Sequence, residues 1–308
     1  MNIHDLYTNC RYCPRACGVD RLAGVRGFCG ESAELRLAFA GLHLGEEPPL
    51  VGRGGSGTIF VSGCNLGCIF CQNYQISSER MGRAVSDGEF AGICLDLQNR
   101  GAANINIVTG SHAAPAIVQG LAAARNEGLH IPILWNSSGY DSPAALELLK
   151  DYVDVYLPDL KTLDSGIAAK FFNAPDYPHV AAQAILKMIE YRPLAQDLAR
   201  GVMIRHLILP AFLDSTRAVL RWFADHAQGR ALLSLMTQYT PMRRNGAPEC
   251  FLNERDYETV LGWLAEFGIE DGFCQELVTG SDWLPDFGKA NPFSSELSVP
   301  VWHWRTPP

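Results

Sequence analysis

The stretch TIFVSGCNLGCIFCQN, residues 58–73, joins a short apolar segment to three cysteines that lie within eight positions. The apolar residues predict a buried strand, and Gly63 and Gly67, which are poor helix formers, predict that the chain leaves this strand in a loop. A buried helix face would also space cysteines at i, i+4 and i+7, but the two glycines and Asn65 argue against a helix. The stretch therefore predicts a strand that ends in a loop carrying thiols.

The number of thiols in this loop indicates the kind of metal site. Cys64, Cys68 and Cys71 are one ligand short of a structural zinc site, which normally takes four protein ligands. A four-iron four-sulfur cluster is held by cysteine thiolates, one per iron, so three cysteines leave one iron without a protein ligand. We therefore expect a cluster whose open iron binds another molecule.

Beyond residue 56 the chain alternates short apolar runs with amphipathic segments, which predicts a parallel sheet with helical crossovers, closed or partly closed. In such sheets the chemistry lies where the strands end. The predicted strands are Thr58–Ser62, Asn104–Thr109, Ile131–Asn136, Val153–Leu157, Val202–Leu209, Ala231–Met236 and Phe273–Leu277. The predicted helices are Asp87–Arg100, Ala114–Asn126, Pro143–Lys150, His179–Tyr191, Ser215–His226 and Glu254–Phe267.

Composition narrows the class of protein. The 308 residues are 47% hydrophobic and 19% charged, which is typical of a globular chain. The net charge of −8, with scattered Lys and Arg, argues against binding to nucleic acid. The N-terminus has neither a basic start nor an apolar run, and the apolar stretches are short, so we expect a cytoplasmic protein without membrane contact. Ten cysteines in such a protein favour metal binding over disulfides.

A second cysteine group lies close to the N-terminus. Cys10, Cys13, Cys17 and Cys29 fall within twenty residues, which is enough for a closed four-thiol metal site. Both an auxiliary iron-sulfur cluster and a structural zinc ion are compatible with these residues. Zinc sites favour two C-x2-C pairs and only one is present, so iron is the favoured interpretation.

The pattern Cys64-x3-Cys68-x2-Cys71 after a strand, with Phe70 before the last cysteine, resembles the signature of the radical SAM superfamily. Further stretches, among them NINIVTGSH, WNSSGYDS, VDVYLPDLK, MIRHLILP and WLPDFGKANPF, resemble the group of pyruvate formate-lyase activating enzyme homologues. The resemblance implies an α/β fold, a partial parallel (β/α)6-type barrel over residues 57–280. A small cysteine-rich extension, residues 1–56, would precede it, and a tail, residues 281–308, would pack on the barrel.

The same resemblance implies an enzyme and its cofactors. In that family S-adenosylmethionine binds the open iron and is cleaved reductively, and the resulting 5′-deoxyadenosyl radical abstracts hydrogen from a substrate. One hypothesis is an activase that places a glycyl radical on a protein partner, and another is an enzyme that modifies a small molecule or peptide. Electrons would come from a donor such as flavodoxin or ferredoxin. A third hypothesis is an iron-sulfur electron carrier or redox sensor, but such a protein has no use for a cluster with an open iron.

Polar residues after the second and third predicted strands are candidates for contacts to the cofactor. The superfamily commonly has an acidic residue after the second strand, and this chain has none, so the hydroxyls of Thr109 and Ser111 are candidates to accept from the methionyl ammonium. A strand-capping turn is the alternative. Asn136, Ser137 and Ser138 resemble the turn that binds ribose hydroxyls in the activases, and the competing reading is a helix cap before residue 143.

Charged residues after the later strands complete the candidate pocket. Asp159 and Lys161 resemble the Asp-x-Lys segment of the activases, which implies that Lys161 pairs with the methionyl carboxylate and Asp159 orients it. A surface ion pair is the alternative. Arg205 and His206 alternate along a strand, so one of the two points inward and needs a partner, which a cofactor or substrate anion would supply. Two acidic residues of the loop before the cluster strand are interpreted as solvated: Glu46 and Glu47.

Overall fold

The computed structural model describes residues 3–242, 246–281 and 283–306. Ten strands of these residues form one sheet in the order β10-β1-β2-β4-β5-β6-β7-β8-β9, with β3 beside β1. The strands are β1 (Leu35–His43), β2 (Ser56–Val61), β3 (Arg83–Val85), β4 (Ile105–Val108), β5 (Ile133–Ser137), β6 (Val155–Pro158), β7 (Gly201–Leu207), β8 (Leu232–Met236), β9 (Gly272–Cys274) and β10 (Ser298–His303). The helices are α1 (Ile3–Thr8), α2 (Pro48–Val51), α3 (Tyr74–Ser77), α4 (Asp87–Asn99), α5 (Ala114–Asn126), α6 (Pro143–Leu149), α7 (Ser165–Phe172), α8 (Tyr177–Tyr191), α9 (Leu213–His226) and α10 (Glu254–Glu266).

The central part of the sheet is parallel. Strand β2 pairs with β4, and the pairing continues in parallel through β5, β6, β7 and β8 to β9. Every residue of β4 and β6 is buried, which is expected where helices cover one face of a parallel strand and the barrel interior covers the other. Within the described residues β9 and β10 are the free edges, so the barrel is open. The predicted partial α/β barrel with a cysteine-rich N-terminus is confirmed.

Three antiparallel strands extend this sheet and were not predicted. β1 pairs with β2, with β3 and with the C-terminal β10. The sheet therefore already begins in the segment that was assigned to the N-terminal extension, and it ends in the segment that was assigned to the tail. The sequence of β1, LRLAFAGLH, is an almost continuous apolar run and carries the signal of a buried strand.

The helices begin where short polar residues cap them. Ser86 accepts a hydrogen bond from the amide of Glu89 at the start of α4, and Ser142 accepts from the amide of Ala145 at the start of α6, where Pro143 occupies the first position. α7 was not predicted, and β9 ends at Cys274, so it is shorter than the predicted Phe273–Leu277. Among the described residues no helix combines the length and the apolar content needed to cross a bilayer.

Candidate active site

The three clustered cysteines lie on the loop that follows β2. Gly63 has a φ of +82° and Gly67 a φ of +74°, so both occupy the left-handed region and turn the chain back on itself. The amide of Leu66 donates to the Cys64 sulfur at 3.3 Å, and the Ser77 hydroxyl donates to the Cys71 sulfur at 3.3 Å. We call residues 62–73 the cluster loop.

The thiols of the cluster loop are close enough to influence each other. Burial raises the pKa of Cys64 and of Cys68, and the negative charge that Cys71 would carry as a thiolate raises both further. Within the described residues no three His, Cys, Asp or Glu side chains converge on the position of a single metal ion. A four-iron cluster binds its thiolates at separate irons and needs no such convergence. Three thiols on one loop, two of which accept hydrogen bonds at sulfur, fit a four-iron cluster, which is held by cysteine thiolates.

A half-buried ion pair lies beside these thiols. The Lys161 Nζ is 2.6 Å from the Asp159 Oδ2, and the side chains are 17% and 20% exposed, so the pair is partly shielded from water. Burial alone would lower the pKa of Lys161, but Asp159 outweighs it and the pKa is raised. The Lys161 charge also acts on Cys68, where it opposes the effect of burial on the pKa of the thiol. The pair therefore lies at the cluster loop.

The Tyr177 hydroxyl organises the backbone around this pair. It lies within hydrogen-bond distance of the carbonyls of Ser138 and Asp159, at 2.9 and 3.0 Å, and the amide of Lys161 donates to it at 3.0 Å. One α8 side chain thus links the ends of β5 and β6. The strand-end segments that carry the predicted residues are held together here.

The polar residues after β4 and β5 divide into two groups. Ser137 donates to the Asp141 carboxylate at 2.5 Å, and Ser111 is hydrogen-bonded to the same carboxylate, whose pKa burial raises. Both hydroxyls are buried and serve Asp141. Thr109, with a φ of +61°, and Asn136 and Ser138 remain candidates for contacts to the cofactor.

Arg205 and His206 both have partners within the chain. The Arg205 guanidinium donates to Glu46 and Glu47, and the Nε to Oε1 distance to Glu47 is 2.9 Å. On the opposite face of β7 the His206 nitrogens contact the Leu160 carbonyl at 2.7 Å and a Thr216 hydroxyl at 3.0 Å. The prediction that Arg205 needs a ligand anion is wrong. Glu46 and Glu47, which were predicted to be solvated, supply the negative charge that pairs with Arg205.

The N-terminal cysteines pack against the cluster loop. Cys10, Cys13 and Cys29 are buried and Cys17 is half-buried. Burial raises the pKa of Cys13 to about 12, and the charges of the other three cysteines as thiolates add to the rise, so the four lie near one another. A Cβ placed on Gly63 would be 3.0 Å from the Cys29 carbonyl oxygen.

Arg15, which sequence reasoning missed, joins the two cysteine groups. Its Nε donates to the Asn65 carbonyl at 2.8 Å and its Nη2 to the Leu66 carbonyl at 3.1 Å, both in the cluster loop. Its guanidinium carbon lies 3.7 Å from the centre of the Phe28 ring. Several arginines lie in this segment of the sequence, and no local signal distinguishes Arg15 from the others.

Aromatic rings shield the other side of the cluster loop. The buried Phe70 ring packs against Phe171, Phe172 and Tyr239 at centroid distances of 5.8 to 5.9 Å. Such edge contacts stabilise the loop and exclude water from its inner side.

Comparisons with known proteins agree with this geometry. The family model of the Radical SAM superfamily matches residues 58–212. The uncharacterized protein MJ0674 of Methanocaldococcus jannaschii is 31% identical over 244 residues, which are 77% of this chain and 68% of that protein.

Solved structures share the fold. SuiB of Streptococcus suis bound to its precursor peptide SuiA superposes with a TM-score of 0.51 at 15% identity over 69% of this chain and 46% of SuiB. SuiB bound to S-adenosylmethionine superposes with a TM-score of 0.50 at 14% identity, over 69% of this chain and 48% of SuiB. A radical SAM methyltransferase of Sphaerobacter thermophilus superposes with a TM-score of 0.50 at 16% identity, over 71% of this chain and 66% of the methyltransferase. The chain spans about half the length of SuiB, and at these identities the likeness concerns the fold alone.

Proposed function

Because this chain belongs to the radical SAM superfamily, whose members use a four-iron four-sulfur cluster and S-adenosylmethionine, we propose that it cleaves S-adenosylmethionine reductively and abstracts hydrogen from a substrate. The observation that carries the proposal is the position of Cys64, Cys68 and Cys71 on one loop beside the Asp159–Lys161 pair. When bound, the cluster and the cofactor supply an electron and a 5′-deoxyadenosyl radical. All ten cysteines are unpaired, which favours a reducing compartment such as the cytoplasm.

The chain's own residues bind and orient the cofactor in this proposal. The three thiolates hold the cluster, and the Lys161 ammonium binds the methionyl carboxylate through a charge-assisted hydrogen bond, with Asp159 orienting it. Thr109 is proposed to contact the methionyl ammonium, and Asn136 and Ser138 the ribose. Ser111, Ser137, Arg205 and His206 are left out of the pocket, because their polar atoms already have partners.

The test is the reaction of protein reconstituted anaerobically with iron and sulfide. With dithionite the wild type should release 5′-deoxyadenosine from S-adenosylmethionine. Replacement of Cys64, Cys68 and Cys71 by alanine should abolish this release, while Cys94→Ala, which removes a buried thiol of α4, is the matched control. Release of 5′-deoxyadenosine by the triple variant would contradict the proposal.

We also propose that Cys10, Cys13, Cys17 and Cys29 hold a second iron-sulfur cluster. The four thiols lie near one another and include only one C-x2-C pair, whereas classical zinc sites favour two such pairs, which supports a cluster over a zinc ion. Mössbauer spectra of the Cys64, Cys68 and Cys71 triple variant should retain an iron-sulfur signal. Stoichiometric zinc in place of iron, or no bound metal, would show that this second cluster does not exist.

We propose two candidate kinds of substrate. The first candidate is a glycyl radical protein, with flavodoxin or ferredoxin as electron donor, because the chain resembles the pyruvate formate-lyase activating enzyme homologues. Polar residues inside the open barrel favour a small molecule or peptide as the second candidate. Incubation with a candidate glycyl radical protein separates them, because an activase generates the doublet of a glycyl radical in the electron paramagnetic resonance spectrum.

A further inference from the structure

Two glutamates from the loop between β1 and α2 reach a strand on the parallel side of the sheet. Glu46 and Glu47 both pair with the Arg205 guanidinium on β7, and Glu46 also accepts from the Asn106 amide on β4 at 3.0 Å. The arginine side chain is 9% exposed and each glutamate side chain 11%. We call Glu46, Glu47, Arg205 and Asn106 the acidic cluster.

The acidic cluster carries one negative charge in excess. Two carboxylates face one guanidinium, and His43 beside them is neutral near pH 7, because burial lowers the pKa of its imidazole. The Asp159–Lys161 pair on the neighbouring strand is neutral as a whole. A net charge in so little water is costly unless a counter-charge reaches it, so the excess favours a cation.

Asn106 gives a second, independent indication of a ligand. Its side chain is fully buried, and its Oδ1 has no hydrogen-bond partner among the described residues. The carboxylate of Glu46 only accepts, so the amide nitrogen of Asn106 is the atom that bonds to it and the amide oxygen is left without a donor. A buried acceptor without a donor is unfavourable, and a ligand that carries N–H groups would satisfy it.

The acidic cluster adjoins the proposed cofactor pocket. Asp159 forms a parallel bridge with Arg205, so the two residues are neighbours across adjacent strands. Ser234, opposite Arg205 on β8, is hydrogen-bonded to Glu47 and closes the other side of the cluster. A ligand group at Glu46 and Asn106 would therefore lie next to the cofactor.

We propose that the acidic cluster binds the protonated amine or guanidinium group of the substrate, with Glu46 supplying the charge and the Asn106 Oδ1 accepting an N–H. This proposal rests on the proposed function, since it makes the site part of the substrate pocket. It identifies the substrate class as a cationic small molecule or a peptide with a basic side chain. Arg205 acts as a positioning residue, because it holds both carboxylates in place.

The experiment measures binding of simple probes to the reconstituted protein with S-adenosylmethionine bound. Butylammonium is titrated by saturation-transfer NMR, with butanol as the neutral analogue and butyrate as the anionic one. The wild type should bind butylammonium in preference to both. Glu46→Gln removes the excess charge while Glu47 still neutralises Arg205, so the variant should fold and its affinity for butylammonium should fall at least about tenfold.

Controls separate this proposal from its alternatives. Asn106→Leu should also lower the affinity for butylammonium. Glu266→Gln should leave that affinity unchanged, because Glu266 is an exposed carboxylate on α10 that pairs with Arg217. Preference for butyrate, or unchanged butylammonium affinity in Glu46→Gln, overturns the proposal. So does competition between butylammonium and S-adenosylmethionine, since the cation site would then belong to the cofactor's own ammonium. Absence of 5′-deoxyadenosine release from a wild type that binds butylammonium overturns the proposed function alone.

Discussion

At the scale of single residues, Lys161 shows how burial changes the outcome of a substitution. A surface pair would be worth under about 1 kcal/mol, but the Lys161–Asp159 pair is largely buried, and removal of one partner leaves an uncompensated charge. Loss of Lys161 therefore affects both stability and cofactor binding, and an experiment must separate the two effects.

We predict that Lys161→Met lowers the free energy of unfolding by about 3 kcal/mol and weakens S-adenosylmethionine binding at least about tenfold. The double variant Asp159→Asn, Lys161→Met should recover most of the stability, because no charge is left unpaired, but not the affinity. Calorimetric titration and urea unfolding of both variants measure the two quantities. If the double variant binds S-adenosylmethionine as tightly as the wild type, Lys161 does not contact the cofactor.

His206 gives a prediction about pH. Burial lowers the pKa of its imidazole to about 4, against an ordinary value of 6.5 in the unfolded chain. Between these values the unfolded chain binds the proton and the folded protein does not, so stability is complete above about pH 6.5 and declines as the pH falls toward 4. When the pH falls from 7.5 to 5, the free energy of unfolding of the wild type should decrease by about 2 kcal/mol more than that of His206→Gln. Equal losses in parallel urea titrations would contradict this account.

At the scale of elements, the cluster loop packs against the N-terminal extension, and Gly63 lies at a close contact between them. A Cβ there would lie 2.6 Å from the Glu31 Cγ and 3.0 Å from the Cys29 carbonyl oxygen. At Gly67, also at positive φ, a Cβ would meet only the Phe28 ring at an ordinary 3.5 Å. The two glycines thus form a matched pair, with equal backbone strain and different contacts.

We predict that Gly67→Ala lowers the free energy of unfolding by about 1 kcal/mol through backbone strain. Gly63→Ala should lower it by at least about 2 kcal/mol more, because the N-terminal extension must move to make room for the added Cβ. Gly63→Ala should also expose the N-terminal cysteines to alkylation by iodoacetamide, which mass spectrometry of apoprotein digests measures. Similar costs and similar labelling in both variants would show that the extension is not packed on the loop.

At the scale of the whole molecule, a strand from the N-terminal part of the chain and one from its C-terminal part pair at one side of the sheet. β10 covers β1 with antiparallel pairing, and the indole nitrogens of Trp302 and Trp304 donate to Glu89 and to the Phe287 carbonyl. Without β10, the backbone of β1 would become a free edge that can pair with another chain.

We predict that truncation after Leu297 lowers the melting temperature by several degrees and causes concentration-dependent association. Size-exclusion chromatography at two protein concentrations measures the association. The variant Val299→Thr, at an exposed position of the same strand, keeps the pairing and should remain like the wild type. A truncated protein with unchanged melting and elution would mean that β10 does not protect the edge.

The sequence by itself determined the parallel part of the barrel and the cluster loop. Hydrophobic period and turn residues are local properties, and the order of strands and helices follows from them, so the predicted elements from residue 58 to 267 all appear. The three clustered cysteines needed no structure either, because a spacing of seven residues is short enough to ensure that they are neighbours.

Only the tertiary structure decided which polar groups are available to a ligand. Arg205 and Glu46 are 159 residues apart, and nothing in the local sequence of either indicates that they meet. The same holds for Arg15 with Asn65, and for Ser111 with Asp141. Charges and hydrogen-bond donors find partners through space wherever burial makes an unpaired group costly, so their assignment depends on the complete packing of the chain and not on any one segment.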